Sequence, residues 1–479
     1  MNILFAASEM SPLAKTGGLG DVLAALPAAL RRAGHSVSVA LPLYRDVRQR
    51  LENLRPTTIC FKLQLGLENH TARIWTGTSK NGVRIFAIEN DPFFDRPTLY
   101  GEGSDYADNG ARFIFFSRAV VELAAWLQPL PQIIHANDWQ TALIPGLVKS
   151  RGLPYRTVFT IHNLAYQGIF PSPIFSLTGL PESYYSSAGY EHFGSLNLMK
   201  GALRLANEIT TVSPGYAKDI QTGEFGCGFD GLLRDRSEKL TGIVNGIDTD
   251  IWNPETDPFL DVNYSFQHLS RKDTAKRLLQ NELGWGHNTT APIFGCVSRL
   301  VGQKGLDVVA EAAPDLLARG ARLVILGSGD PVLEETFTSL ARLHPTQVHT
   351  QIGFDEALAH RIEAGVDFFL MPSRFEPCGL NQMYSQRYGT IPIVHQVGGL
   401  RDTVEPWRVA RKGFLRGTGT GLSFSGLDRP HLMAAIDEAL HIRRFRPFWN
   451  QIRQNAMSRD FSWQSILPQY ENLYQKALA

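Results

Sequence analysis

Short apolar strands alternate with amphipathic helices twice along this chain, and that double alternation restricts the fold more than any other feature. In the first series Ile3–Ala7 reads as a buried strand, and Leu19–Ala33 as a helix with Val22, Leu23, Leu26 and Leu30 on one face. Gln132–Ala136, Thr157–Ile161, Glu208–Val212 and Leu240–Val244 read as further strands, as does Val37–Leu41. An irregular stretch from Asp250 to Thr290 separates this from a second series. That series runs through strand Ile293–Val297, helix Leu306–Ala318, strand Arg322–Leu326 and helix Val332–Leu343, then strands Val348–Gly353, Asp367–Met371 and Ile391–His395. Such alternation argues a parallel sheet covered by helices on both faces. A chain of 479 residues exceeds one ordinary core, so the expected architecture is α/β with two doubly wound domains. Ligands of open α/β sheets sit beyond the carboxyl ends of the strands, and two such domains facing each other place the expected site in the cleft.

A formal net charge of +1 gives no electrostatic case for nucleic acid or an anionic membrane, so any basic site is local. Cys60, Cys227, Cys296 and Cys378 form no C-x-x-C pair, which removes zinc-knuckle and thioredoxin-like readings. No basic n-region precedes the first strand, and no run of 18 apolar residues occurs, so a soluble cytoplasmic protein is expected.

Strand ends carry the candidate residues. Lys15-Thr16-Gly17-Gly18-Leu19-Gly20-Asp21 joins the first strand to the first helix, where glycines let backbone N–H groups approach an anion. By itself G-G-x-G equally describes a plain turn. In His135-Ala136-Asn137-Asp138-Trp139, Asn137 or Asp138 is placed to cap the next helix, and Thr160-Ile161-His162-Asn163 ends another strand. In the second half, Ser298-Arg299-Leu300-Val301-Gly302-Gln303-Lys304-Gly305 puts two cations five residues apart on a strand-end loop, which suits a diphosphate. Pro372-Ser373-Arg374-Phe375-Glu376-Pro377-Cys378-Gly379-Leu380 then adds a carboxylate before a helix expected to begin near Gly379. Cys378 has no dedicated histidine nearby in the sequence, so it reads as a lining residue rather than a nucleophile.

K-T-G-G-L, H-x-N-D-W, T-x-H-N, N-G-I-D, S-R-L-x-x-Q-K-G and R-F-E-P-C-G-L occur in this order. Together they resemble the bacterial glycogen synthases and plastid starch synthases that use ADP-glucose. The resemblance implies a GT-B fold: Rossmann-like domains at 1–243, completed by a C-terminal helix at 460–479, and at 244–459, the first on the glucan acceptor side and the second binding nucleotide-sugar. It implies retention at the anomeric carbon, no metal or other cofactor, ADP-glucose as donor and an α-1,4-glucan (glycogen or maltooligosaccharide) as acceptor. By the same resemblance Lys15, Gly17 and Gly18 contact sugar and diphosphate. Asp138 and His162 hold glucose hydroxyls, with Asn163 and Asn245 nearby. Arg299 and Lys304 neutralise the diphosphate. Glu376 and the amides of Cys378, Gly379 and Leu380 bind glucose, and Phe354 lies against adenine. Two positions depart from the pattern. Eight residues beyond Glu376, where the wider retaining class often has a ribose-binding glutamate, stands Tyr384; and Asn381 replaces the threonine common after C-G-L.

Preorganised positive charge stabilises a departing diphosphate most where charge develops, which gives Arg299 and Lys304 the central chemical role. A glycosidase-like carboxylate pair is not evident. The alternatives are a UDP-glucose-dependent GT-B transferase and a catalytically inactive glucan-binding subunit; an α-glucan phosphorylase fits less well, since nothing marks a pyridoxal-phosphate lysine.

Overall fold

A computed structural model describes residues 1–286, 290–409 and 417–479. The chain forms two compact units, residues 1–246 with 463–479, and residues 247–462.

The first unit is built on nine strands: β1 (Asn2–Ala6), β2 (Ser36–Pro42), β3 (Arg55–Leu65), β4 (Glu68–Thr78), β5 (Arg84–Glu89), β6 (Ile133–Asn137), β7 (Arg156–Ile161), β11 (Glu208–Thr211) and β12 (Leu240–Gly242). Between β7 and β11 the chain makes a separate small sheet from β8 (Ile169–Pro171), β9 (Glu191–His192) and β10 (Ser195–Asn197). The large sheet has the order β12-β11-β7-β6-β1-β2-β5-β4-β3. Neighbours from β12 through β5 are parallel, whereas β4 runs antiparallel to both β5 and β3. The expectation of a wholly parallel sheet is therefore corrected at one edge. Along β3, Pro56, Thr58, Cys60, Lys62 and Gln64 are exposed while alternate residues are less so, the period of a strand with one wet face. The core lies against the Gly18–Arg32 and Asn109–Ala124 helices, the latter contributing Phe113, Phe115 and Phe116 at full burial.

The C-terminal helix Trp463–Leu478 packs on this first unit. Its Tyr474 hydroxyl lies 2.9 Å from Nδ1 of buried His135, Glu471 bonds His35 at 2.8 Å, and Lys476 pairs with buried Glu208 at 2.8 Å. His135, with its other nitrogen 2.6 Å from the Thr160 hydroxyl, is thus a core tie. Burial pushes its pKa down to about 3, so it stays neutral.

The second unit has six parallel strands, β13 (Ile293–Val297), β14 (Arg322–Gly327), β15 (Val348–Ile352), β16 (Phe368–Met371), β17 (Ile391–His395) and β18 (Leu422–Phe424), in the order β15-β14-β13-β16-β17-β18. Helix-backed apolar clusters cover both faces, one containing Leu306, Leu316, Ile436 and Trp449, the other Leu279, Leu358 and Ile362. Unbroken apolar runs such as Ile293–Val297 are what two covered faces demand. Chain order reverses between β1 and β6 in the first unit and between β13 and β16 in the second. Those two switch points position the candidate residues.

Candidate active site

In the first unit the loop after β1 is held by Glu9. Its buried carboxylate accepts the N–H groups of Thr16 (2.7 Å) and Gly17 (3.1 Å), the Thr16 hydroxyl (2.6 Å) and the Tyr100 hydroxyl (2.8 Å). The Gly17 amide is therefore engaged within the protein by a carboxylate. Lys15 bonds Asp21 at 2.6 Å. A Cβ placed on Gly17 or Gly18 would meet nothing within 4 Å, so the protein's own packing does not require glycine there.

Asp138 follows β6 with φ 56° and ψ −178°, a conformation L side chains rarely adopt, costing on the order of 1–3 kcal/mol. It does not cap a helix with its side chain, as the sequence alone allowed. Instead its Oδ1 accepts the His162 N–H at 2.7 Å, and the Asn163 N–H also points to the carboxylate. Burial pushes its pKa up to about 7 against the pull of those two amides, and the nearby charge of Glu9 adds to the rise. Asn137 lies within β6, where its Nδ2 donates to the carbonyls of Ala6 and His135. Its Oδ1, 3.0 Å from His162 Nε2, is thereby left as the acceptor. Burial pushes the His162 pKa down to about 3, and with the single proton on Nε2 the Nδ1 lone pair is an acceptor for a hydroxyl. Asn163 uses its side-chain oxygen on the Ala165 N–H. Asn245, just beyond β12, is buried with Oδ1 unpartnered among the described residues. A buried orphan acceptor of that kind calls for a donor from outside the chain.

In the second unit two loops lock together. Lys304 Nζ lies 2.6 Å from Glu376 Oε2, which also accepts the Ser373 hydroxyl at 3.0 Å. Arg374 N–H donates to the Gln303 carbonyl (2.8 Å), Gln303 Nε2 to the Phe375 carbonyl (3.2 Å), and the Arg374 guanidinium forks onto Asp307 (2.8 and 2.6 Å). Gly305, with φ +66°, comes so close that a Cβ there would sit 1.9 Å from the Pro372 oxygen. Arg299 projects into solvent from the same loop, with no ion pair among the described residues. Cys378 is buried, and Gly399 packs so tightly on its backbone that a Cβ would approach it to 2.4 Å. Gly379 has φ +71° and leads through Leu380 into the Asn381–Arg387 helix, two residues later than expected. Asn381 Nδ2 donates to the Val297 carbonyl at 2.6 Å, so this departure from the family pattern braces the end of β13. Tyr384 is stacked on Trp252, with ring centres 3.8 Å apart. Phe354 follows β15 and is 81% exposed.

Sequence reasoning missed Glu9, Gln303, Arg374 and Asp307 as braces of the site. It also passed over Gly327, which ends β14, and Gly329 just beyond it, where a Cβ would come within 1.8 Å of the Ser298 oxygen and 2.5 Å of the Leu300 oxygen respectively. The Gly-Ser-Gly-Asp at a strand end was the available signal for the last pair. Nothing in spacing marks Gln303, Arg374 and Asp307, whose bonds cross 67 or more residues of sequence.

Residues 2–235 match the starch synthase catalytic domain family, and residues 281–458 match glycosyl transferases group 1. The chain is 45% identical to a glycogen synthase of Anaeromyxobacter sp. (strain Fw109-5), covering 100% of both chains. It is 42% identical to that of Syntrophotalea carbinolica, covering 100% of this chain and 99% of the relative. Among solved structures, the catalytic domain of starch synthase IV from Arabidopsis thaliana, bound to ADP and acarbose, superposes with a TM-score of 0.91 at 35% identity, covering 100% of this chain and 99% of that one. A sucrose-phosphate synthase from Thermosynechococcus elongatus, 16% identical with a TM-score of 0.62 over 99% and 98% of the two chains, shares the fold. Two doubly wound units with charged residues at their switch points, matched in this way, define a glycosyltransferase of GT-B fold. The chain belongs to the glycogen and starch synthase family, enzymes that transfer glucosyl units to a growing glucan. Among the described residues no helix is long and apolar enough to cross a membrane.

Proposed function

We propose that this enzyme transfers glucose from ADP-glucose to the non-reducing 4-hydroxyl of an α-1,4-glucan, with retention at the anomeric carbon, in the cytoplasm and without a metal. The observation that carries the reading is the half-buried Lys304–Glu376 pair beside unpaired Arg299. A sugar diphosphate replaces each partner in kind: phosphate oxygens take the lysine, and a glucose hydroxyl takes the carboxylate. The open space over Gly17 and Gly18, the Asn245 orphan oxygen and the Nδ1 of neutral His162 leave the first unit with room and unfilled acceptors at its own strand ends. Roles are proposed as follows. Arg299 and Lys304 stabilise the departing phosphate. Asp138, His162 and Glu376 hold glucose hydroxyls, and Lys15, Asn163 and the Cys378–Leu380 turn complete the binding set. The first unit takes the acceptor side, and the second takes the nucleotide.

In the transfer, the bond from the anomeric carbon to the phosphate oxygen breaks with its electron pair going to phosphate. The acceptor 4-oxygen bonds the anomeric carbon from the same face. Its proton goes to the departing phosphate oxygen, so ADP leaves carrying that proton. No side-chain nucleophile is required.

ADP and acarbose occupy the Arabidopsis relative, which supports ADP as leaving group and a glucan-like acceptor here. Initial rates with labelled ADP-glucose and UDP-glucose, at equal subsaturating concentration on a glycogen primer, test the donor. ADP-glucose is expected to win by at least about tenfold, a transition-state preference of about 1.4 kcal/mol. Phe354→Ala should erode that margin, because an exposed ring is free to stack on a purine. A reversed preference sinks the nucleotide assignment.

Cys378 lines the site without forming a covalent intermediate. Cys378→Ser is expected to retain substantial activity, and a bulky thiol reagent to inhibit wild type with ADP-glucose protecting. A serine variant as inactive as Glu376→Ala, together with a trapped glucosyl-thiol adduct, would defeat this view.

A further inference from the structure

Gln382 lies in the first turn of the Asn381–Arg387 helix and is fully buried. Its Nε2 lies 3.0 Å from the Cys378 carbonyl, 3.1 Å from the Gly379 carbonyl and 2.9 Å from the Thr403 hydroxyl. Both carbonyls can only accept, and the Thr403 hydroxyl spends its own proton on the Gly399 carbonyl at 2.6 Å. All three partners therefore need a donor, which fixes the side-chain amide with its nitrogen toward them. One side chain thus ties back two successive carbonyls of the turn that follows Glu376.

The peptide bonds on either side of Gly379 are trans. In a planar trans peptide the C=O and N–H groups point in opposite directions. The peptide that carries the Cys378 carbonyl also carries the Gly379 N–H, and the Gly379 carbonyl shares its plane with the Leu380 N–H. By drawing both carbonyls inward, Gln382 turns both N–H groups outward. Neither of them bonds the protein among the described residues. Gly379 is fitted to this arrangement twice over. Its φ of +71° is one that L side chains rarely adopt, and a Cβ there would lie 2.5 Å from Gln382 Oε1.

We infer that Gln382 is a positioning residue for the transfer: without touching the donor, it aims the Gly379 and Leu380 N–H groups at an oxygen of the sugar diphosphate. The inference rests on the sugar-diphosphate site proposed above for the second unit. Donors whose direction is set before the reaction need no reorganisation as charge builds on the departing group, which is where a fixed dipole helps most. A buried amide held on three partners supplies that fixed direction.

Gln382→Met keeps the length of the side chain and removes both of its hydrogens. Gln386→Met is the matched control. One turn along the same helix, Gln386 is equally buried, its Nε2 donates to the Gln382 and Thr403 carbonyls at 3.0 Å each, and its Oε1 likewise has no partner among the described residues. Each variant strips the donor from two buried carbonyls, so both should lower Tm by a similar few degrees. Only Gln382→Met is expected to lower kcat/KM for ADP-glucose, by about ten- to a hundredfold, with KM for glycogen within about twofold, because two donors are misaimed rather than deleted. Gln382→Asn draws the amide back by one methylene; it should show the same split at smaller size, and it answers the question if the methionine variant does not fold. Equal losses of kcat/KM in the two methionine variants overturn the inference, since the effect is then one of packing. So does a folded Gln382 variant with wild-type kcat/KM, or one whose loss falls on the KM for glycogen. If UDP-glucose proves the better donor, the comparison is made on it. A loss confined to Gln382 there sinks the nucleotide assignment and leaves the positioning role standing.

Discussion

Lys304→Ala is expected to lower kcat by about two to three orders of magnitude, the size found when one preorganised donor to a developing anion is removed, or roughly 3–4 kcal/mol. The lysine closes the short Gly302–Lys304 turn after β13, and the Arg374–Asp307 fork and the Gln303 contacts hold that turn in place. Removal deletes a charge and leaves the rest of the loop braced. Glu376 loses its cation but keeps the Ser373 hydroxyl, so some change in Tm accompanies the loss. Arg299→Ala is the cleaner companion. That side chain has no ion pair among the described residues, so its loss should leave Tm unmoved while kcat falls by a similar factor. Lys304→Arg should rescue only in part, because a planar fork replaces a compact charge. Single-turnover rates with saturating ADP-glucose, beside thermal melts, check all three variants. Near-wild-type turnover in a folded alanine variant would place the diphosphate elsewhere.

How much of this was legible beforehand follows from the range of the interactions. Strands β13 and β16 announce themselves as continuous apolar runs, and the loops at their ends are local, so the strand-end positions of Arg299, Lys304 and Glu376 could be read directly. The β3–β4 pair was missed because its alternation is of one-faced strands, in a chain being read for two-faced ones. Asp138 was seen as a possible cap because cap and site residues share their chemistry. Only the bond to His162, 24 residues on, separates the two roles. Glu9 was invisible because no spacing marks a loop carboxylate that turns back on Thr16 and Gly17, seven and eight residues on, and its remaining donor, Tyr100, lies 91 residues away. Asn381 looked like a change in substrate contact until its amide proved to brace Val297, 84 residues earlier.

Asp138→Asn is expected to be more stable than wild type at pH 8 and far less active. The carboxyl is raised to about 7 in the folded state by burial, while an unfolded aspartate titrates near about 3.9. Between those values the folded state keeps a proton that the unfolded state has lost. Stability therefore falls as pH rises from about 4 to about 7 and levels off above it, by about 1.4 kcal/mol for each unit of separation. A neutral amide removes this slope. It also suits the positive φ better than most side chains do. If stability were the only demand on position 138, asparagine would serve better than aspartate, so the retained carboxylate points to a ligand that needs it. Ionised, it accepts the N–H groups of His162 and Asn163 and a sugar hydroxyl, and hydrogen bonds to a charged group contribute about 1.5–3 kcal/mol. The variant should lose about one to two orders of magnitude in kcat/KM for ADP-glucose. In wild type the same parameter should rise with pH up to about 7 and then flatten, with no second limb from His162, whose pKa is about 3. Melts from pH 4 to 8 and pH–rate profiles for both proteins decide the matter. An asparagine variant with the wild-type pH profile, or one that is less stable at pH 8, would show that Asp138 is neither the titrating group nor a residue held against the fold's preference.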